Sequence, residues 1–263
     1  MVKSTISIKN VYLPRKFFIF RMTPSPLKLP VDHYQIDLQE FFQFGMSIDC
    51  AVFGYDREGL KILLIKRGTE PFKDFWAIPG DLVYPKEDLE AAVQRVLKAL
   101  TGISDLYMDQ ASTFGEVSRH PLGRVITVGY FALINIARYN LKASSWATNA
   151  KWVSINEIPN LAFDHDKIVE SSLERIRKRM RIQPIGFNLL PKKFTLNDIQ
   201  KLYEDLLGTQ FDKANFRKKI QKMKLLQPLK ELESNVAHRP AKLYKFNQRR
   251  YNSLINKGFN FEL

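Results

Sequence analysis

The sequence predicts an α/β domain, with a mixed sheet and flanking helices, that is followed by a small winged helix-turn-helix domain. Apolar strand-like runs alternate with amphipathic helices up to about residue 180, and after Pro184 two short helices precede a basic strand. The chain has 263 residues, of which 45% are hydrophobic, enough for a core in each of two modest domains. We predict a weakly ordered, proline-containing leader over residues 1–40, the α/β domain over 41–182 and the winged helix over 183–263.

The first domain opens with a predicted hairpin. Its two strands cover residues 46–55 and 60–67, and further β-rich runs cover 124–136 and 150–153. A short strand from Trp76 ends at the Pro-Gly pair 79–80. Apolar residues at helical spacing predict helices over 88–100, with Asp88 as the cap and Gly102 at the end, and over 166–180.

The second domain has clear helix boundaries. Thr195 is placed to cap a helix that ends at Gly208, and Asp212 is placed to cap a second helix that continues to about Met223. Lysines and an arginine occupy the outer face of this second helix. A charged loop that contains Pro240 then leads to a predicted strand over 243–246 and a final helix near 248–257.

The charge of the chain favours nucleic acid as a partner. The formal net charge is +14, and residues 191–263 hold 16 Lys and Arg against 7 Asp and Glu, so that +9 falls in this segment. A basic domain of this kind attracts polyanions. No apolar run approaches the ~20 residues that span a bilayer, and a single cysteine, Cys50, cannot form an internal disulfide. We therefore expect a cytoplasmic protein with no membrane partner.

Residues 79–103 resemble the Nudix box, G-x5-E-x7-R-E-U-x-E-E-x-G-U, in which U is a bulky aliphatic residue. Glu87, Arg95 and Gly102 match the pattern, whereas Asp81 replaces its first glycine. The remaining glutamates of the pattern are replaced by Val96, Ala99 and Leu100. Mg²⁺ in this family is held by carboxylate oxygens, which these three side chains lack. We therefore expect no metal site, no cofactor, no catalytic residue and no enzymatic activity.

Further segments resemble the Nudix-related transcriptional regulators, which join a Nudix-like domain to a winged helix. The similarity is closest to their arabinose-responsive branch, and the sister branch regulates NAD metabolism and responds to ADP-ribose. The similar segments include residues 67–72, 123–126, 163–165, 184–191 and 215–218. The resemblance implies a homodimer on a palindromic double-stranded DNA operator, which it releases or grips differently when a metabolite occupies the Nudix-like pocket. A sugar such as L-arabinose is favoured as the effector, with ADP-ribose as the other candidate.

Two sets of site residues follow from this resemblance. The effector pocket is expected to contain Arg67, Trp76, Arg124, Asp164 and His165. Asn215 and Arg217 are expected to read base edges. Phosphates are expected to contact Lys192, Lys193, Lys218, Lys219, Lys222, Arg239, Lys242 and Lys245. The structural alternatives are an ion pair or loop cap for the pocket residues, a core position for Trp76, and a solvated basic helix for the second set.

Two other functions stay open on the sequence alone. One is a Nudix hydrolase that acts on ADP-ribose or another nucleoside diphosphate derivative with displaced metal ligands, which Mg²⁺-dependent phosphate release would favour. The other is a nucleic-acid binder without a small-molecule effector, whose Nudix-like domain only dimerises. Salt-sensitive DNA binding that no metabolite changes would favour this second hypothesis.

Overall fold

The computed structural model describes residues 44–56, 58–104, 106–234, 239–257, 259 and 261. The leader predicted over residues 1–40 lies outside the described residues. The described residues of both predicted domains belong to one compact unit.

A mixed sheet forms the first domain, as predicted. Within the described residues it has seven strands: β1 (Gly45–Asp56), β2 (Gly59–Arg67), β3 (Trp76–Ala77), β4 (Gly80–Leu82), β5 (Asp109–Phe114), β6 (Val125–Asn135) and β7 (Ala147–Ser154). The order is β3-β2-β1-β6-β5, with β4 also paired to β1 and β7 to β2. The β1–β6 pair is parallel along its whole length, and the other pairs are antiparallel.

Two helices cover the two faces of this sheet, α1 (Leu89–Thr101) and α2 (His165–Ile182). Because side chains alternate along a strand, Cys50 and Val52 of β1 belong to the core that includes α1, whereas Ala51 and Phe53 belong to the core that includes α2. Gly102 ends α1 in the left-handed conformation, as predicted. Asp88 occupies the N-cap position, but its side chain makes no capping hydrogen bond.

The winged helix consists of α3 (Leu196–Leu207), α4 (Lys213–Lys222), β8 (Leu226–Leu232), β9 (Lys242–Phe246) and α5 (Gln248–Ile255). Thr195 and Asp198 form a reciprocal capping box at the start of α3, and Asp212 caps α4. Phe194 pairs with Tyr244 of β9, which adds a third short segment to the β8–β9 wing. These boundaries confirm the predicted helices of this domain.

Three strands were not predicted: the three-residue β4, which begins at the Pro-Gly break, and the longer strands β5 and β8. The charged loop expected after Met223 contains β8, in which exposed polar residues and Pro228 obscure the strand pattern. Pro228 is tolerated in this strand because β8 pairs on one side only, with β9. The strand β5 reads Asp-Gln-Ala-Ser-Thr-Phe, and only Ala111 of it is buried. Both β5 and β8 are edge strands among the described residues, so that half of their side chains needs no apolar character.

The winged helix and the Nudix-like domain share a core on the α2 side of the sheet. Met180 of α2, Phe187 of the 3-10 turn Ile185–Asn188 and Tyr203 of α3 are all buried in it. Gly186 lies between Met180 and Tyr203, where a Cβ would come within 2.9 Å of the Met180 Cε atom. The two domains therefore pack directly against each other. None of the described helices combines the length and the apolar character that a bilayer-spanning segment needs.

Candidate ligand pocket and nucleic-acid interface

A cavity of about 340 Å³ opens where β1, β6 and α2 begin. Ser47 and Asp49 line it from β1, Val125 is the first residue of β6, and His165 is the first residue of α2. The remaining wall is formed by Arg67, Thr69, Glu70, Pro71, Gly80, Asp81, Leu82, Arg119, His120, Leu122, Trp146 and Phe163. A volume of this size lies in the usual range for small-ligand sites, roughly 300–1,000 Å³.

A buried arginine at the base of this pocket contacts residues from three elements. The Arg119 side chain is only 3% exposed, and its Nε and Nη2 atoms donate to the two carboxylate oxygens of Asp164 at 3.0 and 2.6 Å. Its Nη1 atom donates to the Thr127 hydroxyl at 2.5 Å, and Nη2 lies 3.7 Å from the Asp49 carboxylate. Planar guanidinium groups favour such paired contacts. Arg119 therefore joins the loop before β6 to β1, β6 and the start of α2.

The neighbouring carboxylate is held in its charged form. Burial raises the pKa of Asp49, but His165, Arg119 and Thr127 together outweigh that effect, so that the pKa lies below the ordinary value of 3.8. The His165 Nε2 atom lies 3.4 Å from Asp49, and its Nδ1 atom accepts a hydrogen bond from the Ile78 amide at 3.2 Å. The imidazole is thus fixed on both sides.

Aromatic rings surround a second arginine on the pocket wall. The Arg67 guanidinium carbon lies 4.9 Å from the ring centroids of both Trp146 and Phe163, and its Nε atom donates to the Pro71 carbonyl at 2.8 Å. His120 stacks on Phe163 with centroids 5.2 Å apart and an interplanar angle of 12°. Burial and the nearby arginines lower the pKa of His120, which favours a neutral imidazole. This wall combines flat π surfaces with one cation.

The structure brings only some of the sequence-predicted pocket residues together. Arg67 and His165 line the cavity, and Asp164 lies behind it, bound to Arg119. Trp76 and Arg124 are not among its lining residues. Trp76 packs on the core shared with the winged helix, with the Lys151 Nζ atom 4.2 Å from its ring, so that the predicted core alternative holds for it. The Nη1 atom of Arg124 instead donates to the Gly115 carbonyl at 2.6 Å.

Most lining residues were not predicted, and five of these make the contacts described above: Asp49, Arg119, His120, Trp146 and Phe163. Asp49 is a lone charge inside an apolar strand, and this was the one available signal. Arg119, His120 and Trp146 lie on connecting segments without a hydrophobic period. Phe163 belongs to the Phe-Asp-His segment of the family resemblance, but it was not selected as a site residue.

The degenerate Nudix box lies on α1 and the loop before it. Arg95 donates through Nε and Nη2 to the Glu87 carboxylate at 2.7 and 2.8 Å, and Nη2 also donates to the Leu82 carbonyl at 2.8 Å. It thereby fastens the loop to the helix. The metal-binding glutamates of the pattern are replaced by apolar residues, and Val96 and Leu100 are buried in the α1 core. These positions do not fit a divalent cation, because none offers an oxygen ligand.

Half of the ten sequence-predicted DNA contacts lie on α4. The side chains of Asn215, Lys218, Lys219 and Lys222 are exposed there. Arg217 differs from them, since it is half-buried: its Nη2 atom donates to the Asn197 side chain at 2.8 Å, and its Nε atom is buried without a hydrogen-bond partner. Arg217 therefore ties α4 to the start of α3 and is not fully displayed to a ligand.

The other sequence-predicted DNA contacts lie around the wing. Lys242 and Lys245 are exposed on β9, Arg239 is exposed just before it, and Lys192 is exposed before α3. Lys193 forms an ion pair with Glu231 of β8. A basic helix face next to a basic hairpin is the arrangement with which winged helices bind the major groove and the adjacent backbone.

Comparison with known proteins identifies both domains. Residues 44–172 match the NUDIX domain family, and residues 186–246 match the NrtR DNA-binding winged helix domain family. The chain is 34% identical over 221 residues to the ADPR responsive transcriptional repressor NtrR of Acinetobacter baylyi, covering 82% of this chain and 85% of that protein. It is also 37% identical over 120 residues to the ADP-ribose pyrophosphatase of Methanocaldococcus jannaschii, covering 46% of this chain and 70% of that protein.

A solved structure supports the same assignment. Shewanella oneidensis NrtR in complex with a 27mer DNA superimposes with a TM-score of 0.63 at 30% identity, over 76% of this chain and 93% of that chain. The match extends across both domains and agrees with the predicted Nudix fold plus winged helix. The chain belongs to the NrtR-type family of DNA-binding transcriptional regulators, in which a Nudix sensor domain is joined to a C-terminal winged helix.

Proposed function

We propose that this regulator is a repressor that binds its operator as a homodimer and senses ADP-ribose, or a closely related nucleotide, in the pocket of its Nudix domain. The pocket wall built by Arg67, Trp146, Phe163 and His120 carries the proposal, because it joins a cation to flat π surfaces. An adenine ring stacks well on such surfaces, and a diphosphate pairs with a guanidinium. The Acinetobacter baylyi relative is named as ADPR responsive, which supports the same effector.

A nucleotide suits this pocket better than the sugar that the sequence favoured. L-arabinose is small, uncharged and hydroxyl-rich, and it offers neither a π face for Trp146 nor an anion for Arg67. The cavity of about 340 Å³ is also large for a single pentose. The similarity to the arabinose-responsive branch is therefore the weaker guide to the effector.

The binding experiment compares two arginines. We expect Arg67→Met to weaken ADP-ribose binding in isothermal titration by at least about tenfold, since it removes the cation of this wall and its stacked contacts. Arg124→Met is the matched control, because Arg124 does not line the pocket, and it is expected to bind like the wild type. Binding of L-arabinose but not ADP-ribose by the wild type would refute the proposed effector, and equal losses in both variants would refute the pocket assignment.

We also propose that the Nudix domain does not hydrolyse its ligand. Val96, Ala99 and Leu100 supply no metal ligand, and Glu87 is held by Arg95. The test incubates the protein with ADP-ribose and Mg²⁺ or Mn²⁺ and follows AMP formation by chromatography, with a Nudix hydrolase that retains all its box glutamates as the positive control. AMP release that scales with protein concentration and stops on adding a chelator would instead establish the hydrolase alternative.

The proposed DNA contacts are tested by the salt dependence of operator binding. Each phosphate contact adds about 0.9 to the slope of log K against log salt. We therefore expect the double variant Lys218→Met/Lys219→Met to lower that slope by about 2, measured on a duplex selected by the wild type from a random-sequence pool. Lys86→Met/Lys98→Met, with equal loss of exposed charge in the Nudix domain, is the control.

The proposed homodimer is tested by the stoichiometry of the operator complex in analytical sedimentation. One protein chain per operator duplex would refute it.

A further inference from the structure

Three elements run from the ligand pocket to the winged helix. The strands β1 and β6 are parallel, and both begin at the pocket, as does α2. Tyr55 follows Asp49 by six positions, which is about 20 Å of strand, and Arg177 follows His165 by twelve positions, which is about 18 Å of helix. The far ends of all three elements therefore reach the other domain at a similar distance from the pocket.

Each far end makes a polar contact with the winged helix or with the turn that leads to it. The Tyr55 hydroxyl donates to the Asp205 carboxylate of α3 at 3.0 Å. The Asn135 side-chain amide at the end of β6 donates to the Leu189 carbonyl at 3.0 Å. The Arg177 Nε atom donates to the Leu206 carbonyl of α3 at 2.9 Å. Two of the three contacts thus hold the same end of one helix.

The Arg177 contact suits the end of α3. Leu206 lies in the last turn of that helix, where carbonyl groups have no partner within the helix and the helix dipole places partial negative charge. A guanidinium from another domain therefore provides both a donor and a favourable charge at this position. Gly208, which ends α3, lies close to the same guanidinium, since a Cβ added to it would lie 3.9 Å from the Nη2 atom.

The Tyr55 contact holds α3 from a second side. Tyr55 is buried, and burial together with Asp205 raises the pKa of its hydroxyl, which keeps the proton available for donation. Asp205 also pairs with Lys201 one turn earlier, at 2.9 Å. At the other end of α3, Asn197 accepts the hydrogen bond from Arg217 of α4. A displacement of α3 would therefore move the helix that carries the basic surface.

We propose that Tyr55 and Arg177 are positioning residues that couple effector binding to DNA binding, by holding the C-terminal end of α3 against the far ends of β1 and α2. A ligand that shifts Asp49 and His165 at the pocket moves these two elements, and the two contacts pass the movement to α3 and α4. The proposal rests on the proposed function, because it needs both an effector and an operator.

The experiment measures thermodynamic coupling. The ratio of operator affinities with and without an effector equals the ratio of effector affinities with and without the operator, and such ratios are typically about 5- to 150-fold. We compare the wild type with Tyr55→Phe/Arg177→Met, using ADP-ribose and the selected operator duplex. The matched control is Tyr107→Phe/Lys178→Met, which removes an exposed hydroxyl that bonds to Asp109 at the start of β5 and an exposed charge of α2 that pairs with Glu174.

We expect Tyr55→Phe/Arg177→Met, the junction variant, to bind ADP-ribose without DNA within about twofold of the wild type. Its coupling ratio, the ratio of operator affinities with and without ADP-ribose, should fall toward 1. The control variant should keep the full ratio. A junction variant with an undiminished ratio overturns the proposal and leaves the proposed function intact. A wild-type protein that shows no coupling overturns the proposed function, and this proposal with it. If the double variant loses its cooperative thermal transition, the two single variants are compared in the same assay, with the same outcomes.

Discussion

Two arginines in the Nudix domain perform similar structural tasks in different surroundings. Arg95 fastens the loop before α1 through Glu87, Asp81 and the Leu82 carbonyl, with its side chain 24% exposed and resting on Tyr84. Arg119 fastens the loop before β6 through Asp164, Thr127 and Asp49, with its side chain 3% exposed. Water can solvate the groups around Arg95 if the arginine is lost, but it has little access to those around Arg119.

This difference indicates which part of the domain still depends on buried charge. At the Nudix box, three glutamate positions have become apolar, and Val96 and Leu100 now belong to the α1 core. At the ligand pocket, two carboxylates, a histidine and an arginine stay buried together, and such groups are stable only as a complete network. The buried charges of this domain therefore lie at the ligand pocket, whereas the box positions at Val96 and Leu100 are part of an apolar core.

The largest expected effect is that of Arg119→Met. The substitution would leave Asp164 buried without its arginine and Asp49 buried with one charged partner fewer, and we expect it to lower the free energy of unfolding by about 3–5 kcal/mol. Chemical denaturation followed by tryptophan fluorescence or circular dichroism measures this change.

The control for this prediction is Arg124→Met, five residues further along the same loop region, where the half-buried side chain bonds to the Gly115 carbonyl and we expect a change below about 0.5 kcal/mol. A loss of less than about 1 kcal/mol in Arg119→Met would mean that the network is open to water and that the contrast with Arg95 is wrong.

Much of the fold could be predicted from the sequence because its main elements carry strong local signals. The buried strands β1, β2 and β6 are continuous apolar runs, and α3 has a capping box at one end and Gly208 at the other. The edge strands β5 and β8 were missed because half-exposed strands with polar residues resemble loops. The hydrophobic period of a sequence reflects the burial of its side chains, and few side chains of β5 and β8 are buried.

The pocket was predicted less well than the fold because its residues meet only through tertiary structure. Asp49 and Asp164 are 115 positions apart in the chain, and Arg119 joins them from a loop that has no period. Family segments located Arg67 and His165, but they also suggested Trp76 and Arg124, which point elsewhere. Sequence proximity to a motif does not fix the direction of a side chain, since neighbouring residues of a strand face opposite sides of the sheet.

Asp49→Asn tests the same network through its pH dependence. The folded-state pKa of Asp49 lies below 3.8, so its charged form contributes stability that is complete above that pH and is lost as the pH falls through the lower folded value. At pH 7 we expect the variant to be less stable by about 1–3 kcal/mol, since His165 and Arg119 lose a buried partner.

The difference between the two proteins should shrink as the pH falls below about 4, because Asp49 then binds a proton in the unfolded wild type while its folded carboxylate stays charged, which lowers the stability of the wild type. Unfolding is measured by denaturant titration at several pH values between 7 and 3. A difference that stays constant over this range would mean that Asp49 is not held in its charged form by its neighbours.

The smallest expected effect is that of Arg95→Met, which completes the comparison. Its partners Glu87 and Asp81 regain water when the guanidinium is lost, and ion pairs of this exposure contribute at most about 1 kcal/mol. We expect a loss near that value in denaturant unfolding, with ADP-ribose affinity unchanged within about twofold. The loss should shrink in high salt, which screens accessible charges, whereas that of Arg119→Met should not. A loss as large as that of Arg119→Met would show that the loop before α1 is a second buried network, so that exposure would not be what separates the two arginines.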